Sequence, residues 1–390
     1  MQKIIPILSI SGLDIVAESK NDIIQLRADG AMGGLCAPLI TRINARLREE
    51  KPARIDEDTI IISTWLPPIP SGAFKRLIAA EVSILFGKYV PETVSFEITR
   101  ECGCDCEHCV VSGGEGELDT KIIKRAIDDA LDMGAFIITF TEGDPMLRKD
   151  ILDLVRYVDK KRAIVNIFTP GFEVTPEKAL ELKEAGLHNL LVSIYSPDPE
   201  KHDNVRRTLG AHQKAVEAIK NGLGAGLLVT MATHISPDRM NELDSLYDFA
   251  TKLGVHEFSV WESIPKKAGD AILTDSDRQT IVDMYHRINS TPGGVRMFSN
   301  TYFEGEMLGC MAGRRWLHIC VDGEAKPCPY IPFSFGNIQD TSLQELWKNI
   351  RSTRMFKKDF NDGCMMHDAL LLNRMAQIPE GTKLPVRFNE

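Results

Sequence analysis

The 390-residue sequence lacks a long apolar run, an excess of basic charge and any low-complexity segment. Its longest apolar stretches, such as residues 77–86, are interrupted by charge and fall short of the roughly 18 residues that a membrane-spanning helix needs. The net charge of −9, without a long basic run, argues against a dedicated nucleic-acid binder. We therefore expect a protein that is not integral to a membrane and whose partner is not a nucleic acid.

The first residues also lack the features of an export signal. They carry an apolar patch, but Asp14 and Glu18 follow it and no small-residue cleavage site is present. We expect a strand there and a cytoplasmic protein. Nine cysteines are an odd number in such a chain, which favours metal ligation over a disulfide framework.

The order of apolar patterns predicts four parts of the chain. Residues 1–92 form an N-terminal α/β accessory module, residues 93–265 alternate β-rich runs with helical stretches, residues 266–309 form a linker with one helix, and residues 310–390 hold turns, cysteines and a polar tail. Six βα units in a row predict an α/β fold with a parallel sheet, as in a barrel or partial barrel, with its site at the carboxyl ends of the strands. The six predicted strands are residues 93–99, 135–141, 163–169, 189–195, 227–233 and 257–261.

A cluster of four cysteines within eight residues follows the first of these strands. Cys102, Cys106 and Cys109 form a C-x3-C-x2-C pattern, which nine cysteines in 390 residues would produce by chance about 0.005 times. Three thiolates on one loop can hold three irons of a four-iron cluster and leave the fourth iron open to a cofactor or substrate. The alternative is a zinc site with Cys104 as the fourth ligand.

This loop resembles that of the radical S-adenosylmethionine (SAM) enzymes, whose C-x3-C-x-φ-C motif follows the first strand of a partial (β/α)6 TIM-like barrel. His108 occupies the φ position, and the resemblance covers about residues 93–265. It implies that Cys102, Cys106 and Cys109 hold a [4Fe–4S] cluster whose open iron binds SAM. Reductive cleavage of SAM would give a 5′-deoxyadenosyl radical, which abstracts a hydrogen atom from an organic substrate. The electron would come from a reducing partner such as flavodoxin or ferredoxin.

The resemblance also implies contacts to SAM after the second strand. The segment TEGDP, residues 141–145, stands where the family usually has a GGEP-like segment near the cofactor's amino group. Gly143 and Asp144 are therefore expected at the cofactor, although Glu142 and Asp144 depart from the family pattern. The alternative for Asp144 is a turn residue before a proline.

Two later positions match family residues that bind the ribose and the carboxylate of SAM, namely Ser193 on the fourth strand and Arg206 in an HDxxR segment. An arginine suits a carboxylate because it can donate two parallel hydrogen bonds. The alternative for Arg206 is a surface ion pair with Asp203. The predicted cofactor-binding residues are His108, Gly143, Asp144, Asn166, Ser193 and Arg206.

A second group of cysteines occupies the C-terminal quarter. The C-x12-G-x4-C segment from Cys310 to Cys328 resembles the SPASM and twitch extensions of radical SAM enzymes, with Cys364 as the downstream candidate. It implies an auxiliary [4Fe–4S] cluster. A full SPASM extension uses seven cysteines for two clusters, whereas this part of the chain has four, so the ligand count allows only one cluster. The fourth ligand of this cluster could be Cys320 or His367, or the fourth iron could have no protein ligand. Cys320 is equally compatible with a buried inert thiol.

The substrate is not selected by the fold or by these motifs, so a peptide, a lipid and a tetrapyrrole or cofactor intermediate stay open. The apolar helix predicted at residues 73–86, with Lys75 and Arg76 near its start, could contact a membrane surface or an apolar substrate; the alternative is a helix packed on the barrel. A non-catalytic iron–sulfur electron carrier or a structural zinc protein is the competing function. Neither would need the pair Ser193 and Arg206.

Overall fold

The computed structural model describes residues 3–20, 23–47, 50–106, 108–109, 116–266, 269–357, 360 and 363–388. The N-terminal elements are β1 (Lys3–Ile10), β2 (Leu13–Lys20), β3 (Ile23–Asp29), α1 (Gly33–Leu47), β4 (Arg54–Ile55), β5 (Ile60–Ile61) and α2 (Gly72–Leu85). Strands β1, β2 and β3 form an antiparallel sheet in that order. Helix α1 packs on β3, where the Asn44 side chain exchanges two hydrogen bonds of 2.7 Å with the Leu26 backbone.

The central part alternates strands and helices in the predicted order. Its elements are β6 (Thr93–Glu97), α3 (Thr120–Met133), β7 (Ile137–Thr141), α4 (Ile151–Tyr157), β8 (Ile164–Thr169), α5 (Pro176–Glu184), β9 (Asn189–Ser193), α6 (Pro199–Arg206), α7 (Ala211–Gly224), β10 (Leu228–Ile235), α8 (Leu243–Leu253), β11 (Glu257–Glu262), α9 (Asp275–Asn289) and β12 (Arg296–Ser299). Two 3₁₀ turns, Pro145–Leu147 and Pro237–Glu242, follow β7 and β10.

The C-terminal part consists of short elements around the cysteines. They are α10 (Asn300–Tyr302), a π-helical turn (Phe303–Met307), β13 (Trp316–Ile319), β14 (Ala325–Lys326), β15 (Phe333–Ser334), α11 (Leu343–Ser352), α12 (Arg354–Lys357), a 3₁₀ turn (Met365–His367), α13 (Ala369–Met375) and β16 (Val386–Arg387).

The central sheet has nine strands in the order β12-β11-β10-β9-β8-β7-β6-β13-β14. Strands β6 to β12 pair in parallel, which confirms the predicted α/β fold with a partial barrel. Strand β12 comes from residues expected to form a linker, and β13 pairs in parallel with β6 through Trp316 and Thr93. The C-terminal part therefore extends the same sheet beyond the first predicted strand.

Helices of the barrel pack on the sheet through a buried apolar face. Helix α3 shows the pattern: it begins after the N-cap Asp119, whose side chain accepts from two backbone N–H groups, and it ends at Gly134 with φ +109°. Burial of each large apolar side chain stabilises the fold by roughly 1.5–3 kcal/mol. The buried stripe of α3 is Ile123, Ala126, Ile127, Ala130 and Leu131, spaced as one helix face requires.

The segment before α2 closes the amino end of the barrel. Ser63 Oγ and Thr64 Oγ1 donate to Glu257 Oε1 at 3.0 and 2.8 Å, at the start of β11. Arg296, the first residue of β12, pairs with the other oxygen of Glu257 at 3.1 Å and with Glu50 at 2.5 Å. Because these buried groups fill the amino end, the open end of the barrel is the carboxyl end.

Helix α2 packs on the barrel. Phe74 and Ala80 are buried, and Arg76 Nε donates to the Ala135 carbonyl at 3.3 Å. No helix of the described ranges is long and apolar enough to cross a membrane.

Candidate active site

The cysteine loop lies at the carboxyl end of β6. Cys102 and Cys109 are exposed, and Cys104 and Cys106 are half-buried. Arg206, at the end of α6, makes two hydrogen bonds with the loop. Its carbonyl accepts from the Asp105 amide at 3.1 Å, and its Nη1 donates to Cys106 Sγ at 3.4 Å. The loop is thus attached to the helix after the fourth barrel strand.

The thiols of this loop differ in acidity. Hydrogen bonds with Cys102 and Cys106 raise the pKa of the Cys104 thiol, which acts as the donor. The same hydrogen bond from Cys104, aided by Arg206, lowers the pKa of Cys106 to about 6, and the pKa of Cys102 is also lowered, chiefly by Cys104. Cys102 and Cys106 are therefore the more readily formed thiolates, the state that binds a metal.

His108 packs into an aromatic group below the loop. Its Nε2 lies 2.9 Å from the Tyr195 hydroxyl, and the Arg206 guanidinium lies over the Tyr195 ring at 4.6 Å. Burial, with the nearby His234, lowers the pKa of His108 to about 2, so the ring is neutral at physiological pH. His108 contributes ring packing here and no positive charge.

The turn after β7 brings its backbone close to the cysteine loop. Glu142 and Gly143 have φ values of +63° and +62°, and a Cβ on Gly143 would lie 2.4 Å from the Thr99 carbonyl oxygen. Only glycine fits that position. A non-glycine residue in the left-handed region costs roughly 1–2 kcal/mol, and such strain is typical of functional turns.

Asp144 is fully buried at the end of this turn. Its Oδ1 accepts from the Met146 amide at 3.1 Å and from Thr169 Oγ1 at 2.9 Å. Its Oδ2 is buried and has no hydrogen-bond partner among the described residues. Burial raises the pKa of Asp144 to about 6. A buried acceptor of this kind can receive a hydrogen bond from a cationic ligand.

Glu142 receives a partner from the C-terminal part. Its Oε2 lies 3.0 Å from His318 Nε2 on β13, and His318 Nδ1 lies 2.9 Å from Ser95 Oγ on β6. Burial alone would raise the pKa of Glu142, but the charges of His318, Lys326 and Arg100 outweigh burial and lower it. The charge of this unusual residue is thus compensated inside the protein.

Arg206 is buried and not engaged with Asp203. The Asp203 carboxylate caps the next helix, accepting from the Gly210 and His212 amides at 2.6 and 2.8 Å. Arg206 Nη2 donates to the Ser193 carbonyl at 3.1 Å, whereas its Nε is buried without an acceptor in the described part of the chain. Asn166 on β8 is also buried, and neither polar atom of its side chain has a partner in these residues.

These residues surround a cavity of about 470 Å³ at the carboxyl end of the barrel. Asp144 does not line it, but its neighbour Gly143 and its hydrogen-bond partner Thr169 do; Asn166 does not line it either. Three tryptophans form part of the lining, so the cavity joins a polar, cysteine-bearing side to an aromatic side. The cavity lining includes Trp65, Cys102, Cys106, His108, Cys109, Glu142, Gly143, Ser193, Tyr195, Arg206, Trp261, Trp316 and Tyr330.

The C-terminal cysteines form a second, buried group. A hydrogen bond from Cys364 lowers the pKa of Cys310 to about 7, and burial together with the charge of Cys310 raises that of Cys328 to about 12. Burial raises the pKa of Tyr330, and the charges of Cys328 and Cys364 raise it further; Tyr330 also lines the cavity. The second cysteine group is therefore next to the cavity.

Cys320 and His367 have other neighbours. Cys320 lies with Glu97 and His318, and the possible ligand atoms of these three buried residues are within 4.8 Å of one another. His367 Nδ1 faces Arg278 Nη2 at 3.2 Å and Glu262 Oε2 at 3.7 Å. The structure brings Cys310, Cys328 and Cys364 together but gives each of the two candidate fourth ligands its own set of partners.

Two family models match the chain. The model described as "Radical SAM superfamily" matches residues 96–250, which include the cysteine loop and the strands around the cavity. The SPASM model, described as "Iron-sulfur cluster-binding domain", matches residues 310–366, which include the C-terminal cysteines. The chain belongs to the radical SAM superfamily. It also carries a SPASM domain.

Several known proteins are similar to this radical SAM enzyme. The AdoMet-dependent heme synthase of Nitratidesulfovibrio vulgaris is 25% identical over 295 residues, which are 68% of this chain and 80% of that protein. The mycofactocin maturase MftC of Mycobacterium tuberculosis is 28% identical over 286 residues, 67% of this chain and 72% of that protein. The crystal structure of Streptococcus suis SuiB bound to S-adenosylmethionine covers 87% of both chains with a TM-score of 0.57 at 13% identity, which shows the fold.

The enzyme uses a [4Fe–4S] cluster, SAM and an auxiliary iron–sulfur cluster. Reduction of SAM at such a cluster yields methionine and the 5′-deoxyadenosyl radical, which takes a hydrogen atom from the substrate. The residues present fit these groups: thiols face the cavity from one loop, while Asp144 Oδ2 and Arg206 Nε are a buried acceptor and a buried donor without partners among the described residues. A non-catalytic electron carrier or a structural zinc protein is not favoured.

The sequence did not single out several residues that shape this site. Tyr195 holds His108, Thr169 holds Asp144, and His318 holds Glu142. Thr169 ends β8 and Tyr195 follows β9. A position at the carboxyl end of a barrel strand is the sequence signal that could have identified both as site residues. The sequence contained no such signal for His318, because its partner Glu142 is 176 residues away along the chain.

Proposed function

We propose that Cys102, Cys106 and Cys109 hold the cluster that reduces SAM. The observation that carries this proposal is the exposure of these thiols to the cavity, in a loop that Arg206 fixes at the carboxyl end of the barrel. The lowered pKa values of Cys102 and Cys106 support thiolate ligation, whereas Cys104 is the hydrogen-bond donor between them. Cys104 is accordingly not a ligand.

The cofactor-binding residues are proposed to be His108, Gly143, Asp144, Asn166, Ser193 and Arg206. Asp144 Oδ2 would accept from the ammonium group of SAM, and Arg206 Nε would donate to its carboxylate. Both atoms are buried without partners in the described residues, and an unpaired buried polar group costs about 1–3 kcal/mol. Binding of SAM would remove both costs. The absence of a Cβ on Gly143 lets the turn approach the loop.

The test is the formation of 5′-deoxyadenosine from SAM by anaerobically reconstituted protein with a strong reductant. Cys102→Ala, Cys106→Ala and Cys109→Ala should each abolish it, because each removes an iron ligand. Cys104→Ala is the matched control and should retain it. Full activity of Cys102→Ala with loss in Cys104→Ala would refute the assignment.

Cys310, Cys328 and Cys364 are proposed ligands of the auxiliary cluster, within a C-terminal extension that begins near residue 310. Their burial and their mutual effects on pKa support this set. The division into residues 1–92, 93–265, 266–309 and 310–390 is likewise proposed, with the addition that residues 296–299 supply a barrel strand.

For the substrate, we propose an organic molecule with an apolar body and acidic groups. Arg100, Arg207 and Lys266 stand on the cavity wall, and a second cavity of about 160 Å³, mainly apolar, shares the three tryptophans with the first. Tetrapyrroles with carboxylate side chains and peptides both match this description, and relatives named AdoMet-dependent heme synthase and PqqA peptide cyclase support these two classes.

A panel of substrates can separate the two classes. SAM cleavage and deuterium transfer into 5′-deoxyadenosine are measured with deuterated porphyrin carboxylates and with deuterated peptides. Deuterium transfer from one class identifies that class as the substrate. The proposal would be contradicted if neither class transferred deuterium and a deuterated lipid did.

The cellular setting is proposed to be the cytoplasm, with flavodoxin or ferredoxin as the electron donor and no nucleic-acid partner. Peripheral membrane contact is proposed only for the end of α2, where Leu85 and Phe86 are exposed. Binding to anionic vesicles, lost in Phe86→Ser, would test that contact; equal binding of both forms would contradict it.

A further inference from the structure

Three buried side chains with metal-binding atoms meet where the first barrel strand pairs with the C-terminal part. They are Glu97 at the end of β6, His318 on β13 and Cys320 directly after β13. Their exposed fractions are 3%, 0% and 2%. One possible ligand atom from each lies within 4.8 Å of the other two. A carboxylate, an imidazole and a thiolate are the side-chain groups that bind Zn²⁺ in proteins.

The pairing of β6 with β13 brings these residues together. Ser95 on β6 is the pairing partner of His318 on β13. Side chains alternate between the two faces of a strand. Glu97 and Cys320 each follow one member of this pair by two residues and therefore lie on the same face of the sheet. The group is thus positioned by the register of two paired strands.

The imidazole of His318 has one engaged and one unengaged nitrogen. Nδ1 lies 2.9 Å from Ser95 Oγ, which accepts from Trp316 Nε1 at 2.8 Å. Nε2 is buried and has no hydrogen-bond partner among the described residues, although Glu142 Oε2 lies 3.0 Å from it. The Glu142 oxygen is thus close to Nε2 but is not aligned for a hydrogen bond. In metal sites, a hydrogen bond at one ring nitrogen orients the other nitrogen toward the ion.

The Glu97 carboxylate keeps lone pairs free for an ion. Its Oε1 accepts from Arg100 Nε at 3.1 Å, and its Oε2 accepts from the Val321 amide at 2.9 Å. A carboxylate has about four lone-pair positions, so each oxygen retains one. Carboxylates that bind a metal are themselves hydrogen-bonded in this way.

Two cations and a second carboxylate lie near the group. Arg100 pairs with Glu97, and Lys326 lies on β14, the strand paired with β13. The carboxylates of Glu97 and Glu142 balance these two positive charges. A bound dication therefore needs a further negative charge, which Cys320 supplies because a thiol loses its proton when it binds a metal.

We propose that Glu97, His318 and Cys320 bind one Zn²⁺ ion, separate from both iron–sulfur clusters. At zinc–ligand bond lengths of about 2.0–2.3 Å, two atoms bound to one tetrahedral ion lie roughly 3.3–3.8 Å apart, so small side-chain rotations complete the site. The ion fastens the C-terminal extension to the first barrel strand. Cys320 is accordingly a zinc ligand and not a ligand of the auxiliary cluster.

The test measures zinc in the reconstituted holoenzyme, loaded with Zn²⁺ after its clusters are complete and then washed with a weak chelator. Elemental analysis should find one zinc per chain in addition to the iron. The X-ray absorption spectrum at the zinc edge should show one sulfur at about 2.3 Å, with nitrogen and oxygen at about 2.0–2.2 Å. Neither readout requires turnover.

The ligand variants are compared by competition with a chromogenic chelator. Cys320→Ala should raise the dissociation constant for Zn²⁺ at least 100-fold, because even changes beside a ligand cost about 10–100-fold; Glu97→Gln should also raise it. The iron content of both variants should equal that of the wild type, which also shows that they fold. Cys36→Ala is the matched control, because it removes a half-buried thiol of the N-terminal part, and it should bind zinc as the wild type does.

A holoenzyme without zinc, or an unchanged zinc affinity in both Cys320→Ala and Glu97→Gln, would overturn the proposal. So would a zinc spectrum with three or four sulfurs, because the ion would then lie in one of the two cysteine groups. Loss of iron in Cys320→Ala, with zinc retained, would assign Cys320 to the auxiliary cluster and would equally overturn the zinc site.

Discussion

Replacement of Asp144 by asparagine gives the sharpest test of cofactor recognition. Asparagine can keep the two hydrogen bonds that Oδ1 accepts from Met146 and Thr169, but it removes the negative charge at the buried, unpaired Oδ2. If that oxygen receives the ammonium group of SAM, the variant loses one charge-assisted hydrogen bond, worth roughly 1.5–3 kcal/mol. Since about 1.4 kcal/mol is tenfold in affinity, the dissociation constant for SAM should rise about 10- to 150-fold.

The pH dependence follows from the pKa of Asp144, which burial raises from 3.8 to about 6. At roughly 1.4 kcal/mol per pKa unit, keeping this carboxyl ionised costs the cofactor-free protein about 3 kcal/mol at neutral pH. Stability that is present below pH 3.8 is therefore lost as the pH rises through about 6. Binding of a cation offsets that cost. The affinity of the wild type for SAM should thus fall about tenfold per pH unit below about pH 6, and that of Asp144→Asn should not.

Anaerobic calorimetric titration of the reconstituted protein with SAM, without reductant, measures both effects between pH 5.5 and 7.5. Asp105→Asn is the control, because this carboxylate also lines the cavity but is exposed; its affinity should change little. Wild-type affinity in Asp144→Asn at pH 7.5, or a wild-type affinity that is flat over this range, would show that Asp144 does not contact the ammonium group.

Three further outcomes are expected. Arg206→Ala should weaken SAM binding at least tenfold with unchanged iron content, measured by the same titration and an iron assay; equal affinity would exclude a role in carboxylate binding. Gly143→Ala should lower the melting temperature far more than Gly226→Ala, because both have positive φ but only Gly143 has backbone within 2.4 Å of a new Cβ; equal losses would refute the close-approach argument. His318→Gln should destabilise the protein by about 1–3 kcal/mol in chemical unfolding, since it removes the ion-pair partner of Glu142, whose side chain is 10% exposed, and adding Glu142→Gln should recover part of this; a double variant no more stable than His318→Gln would show that the two residues do not act as a pair.

Much of the fold could be predicted because its signals are local. The six predicted barrel strands are near-continuous apolar runs, and buried parallel strands require that composition whatever their partners. The C-x3-C-x2-C loop is equally local, because all three thiols lie within eight residues. The position of that loop after β6 placed the site at the carboxyl end of the barrel.

Strands β12 and β13 could not be predicted in the same way. They have four residues each, too few to show a period. Their membership in the sheet is decided by pairing with β11 and β6, which are distant in sequence. The second cysteine group was predicted from its spacing, but its separation from Cys320 depends on where β13 places that residue beside Glu97.

The sequence by itself determined the class of chemistry, since short-range spacing decides whether three thiols can share one cluster. Only the tertiary structure decided how charges are compensated. Glu142 meets His318 and Asp144 meets Thr169 through contacts between separate elements. The free energy of a buried charge depends on the groups within a few ångströms of it, and the order of residues along the chain does not specify those neighbours.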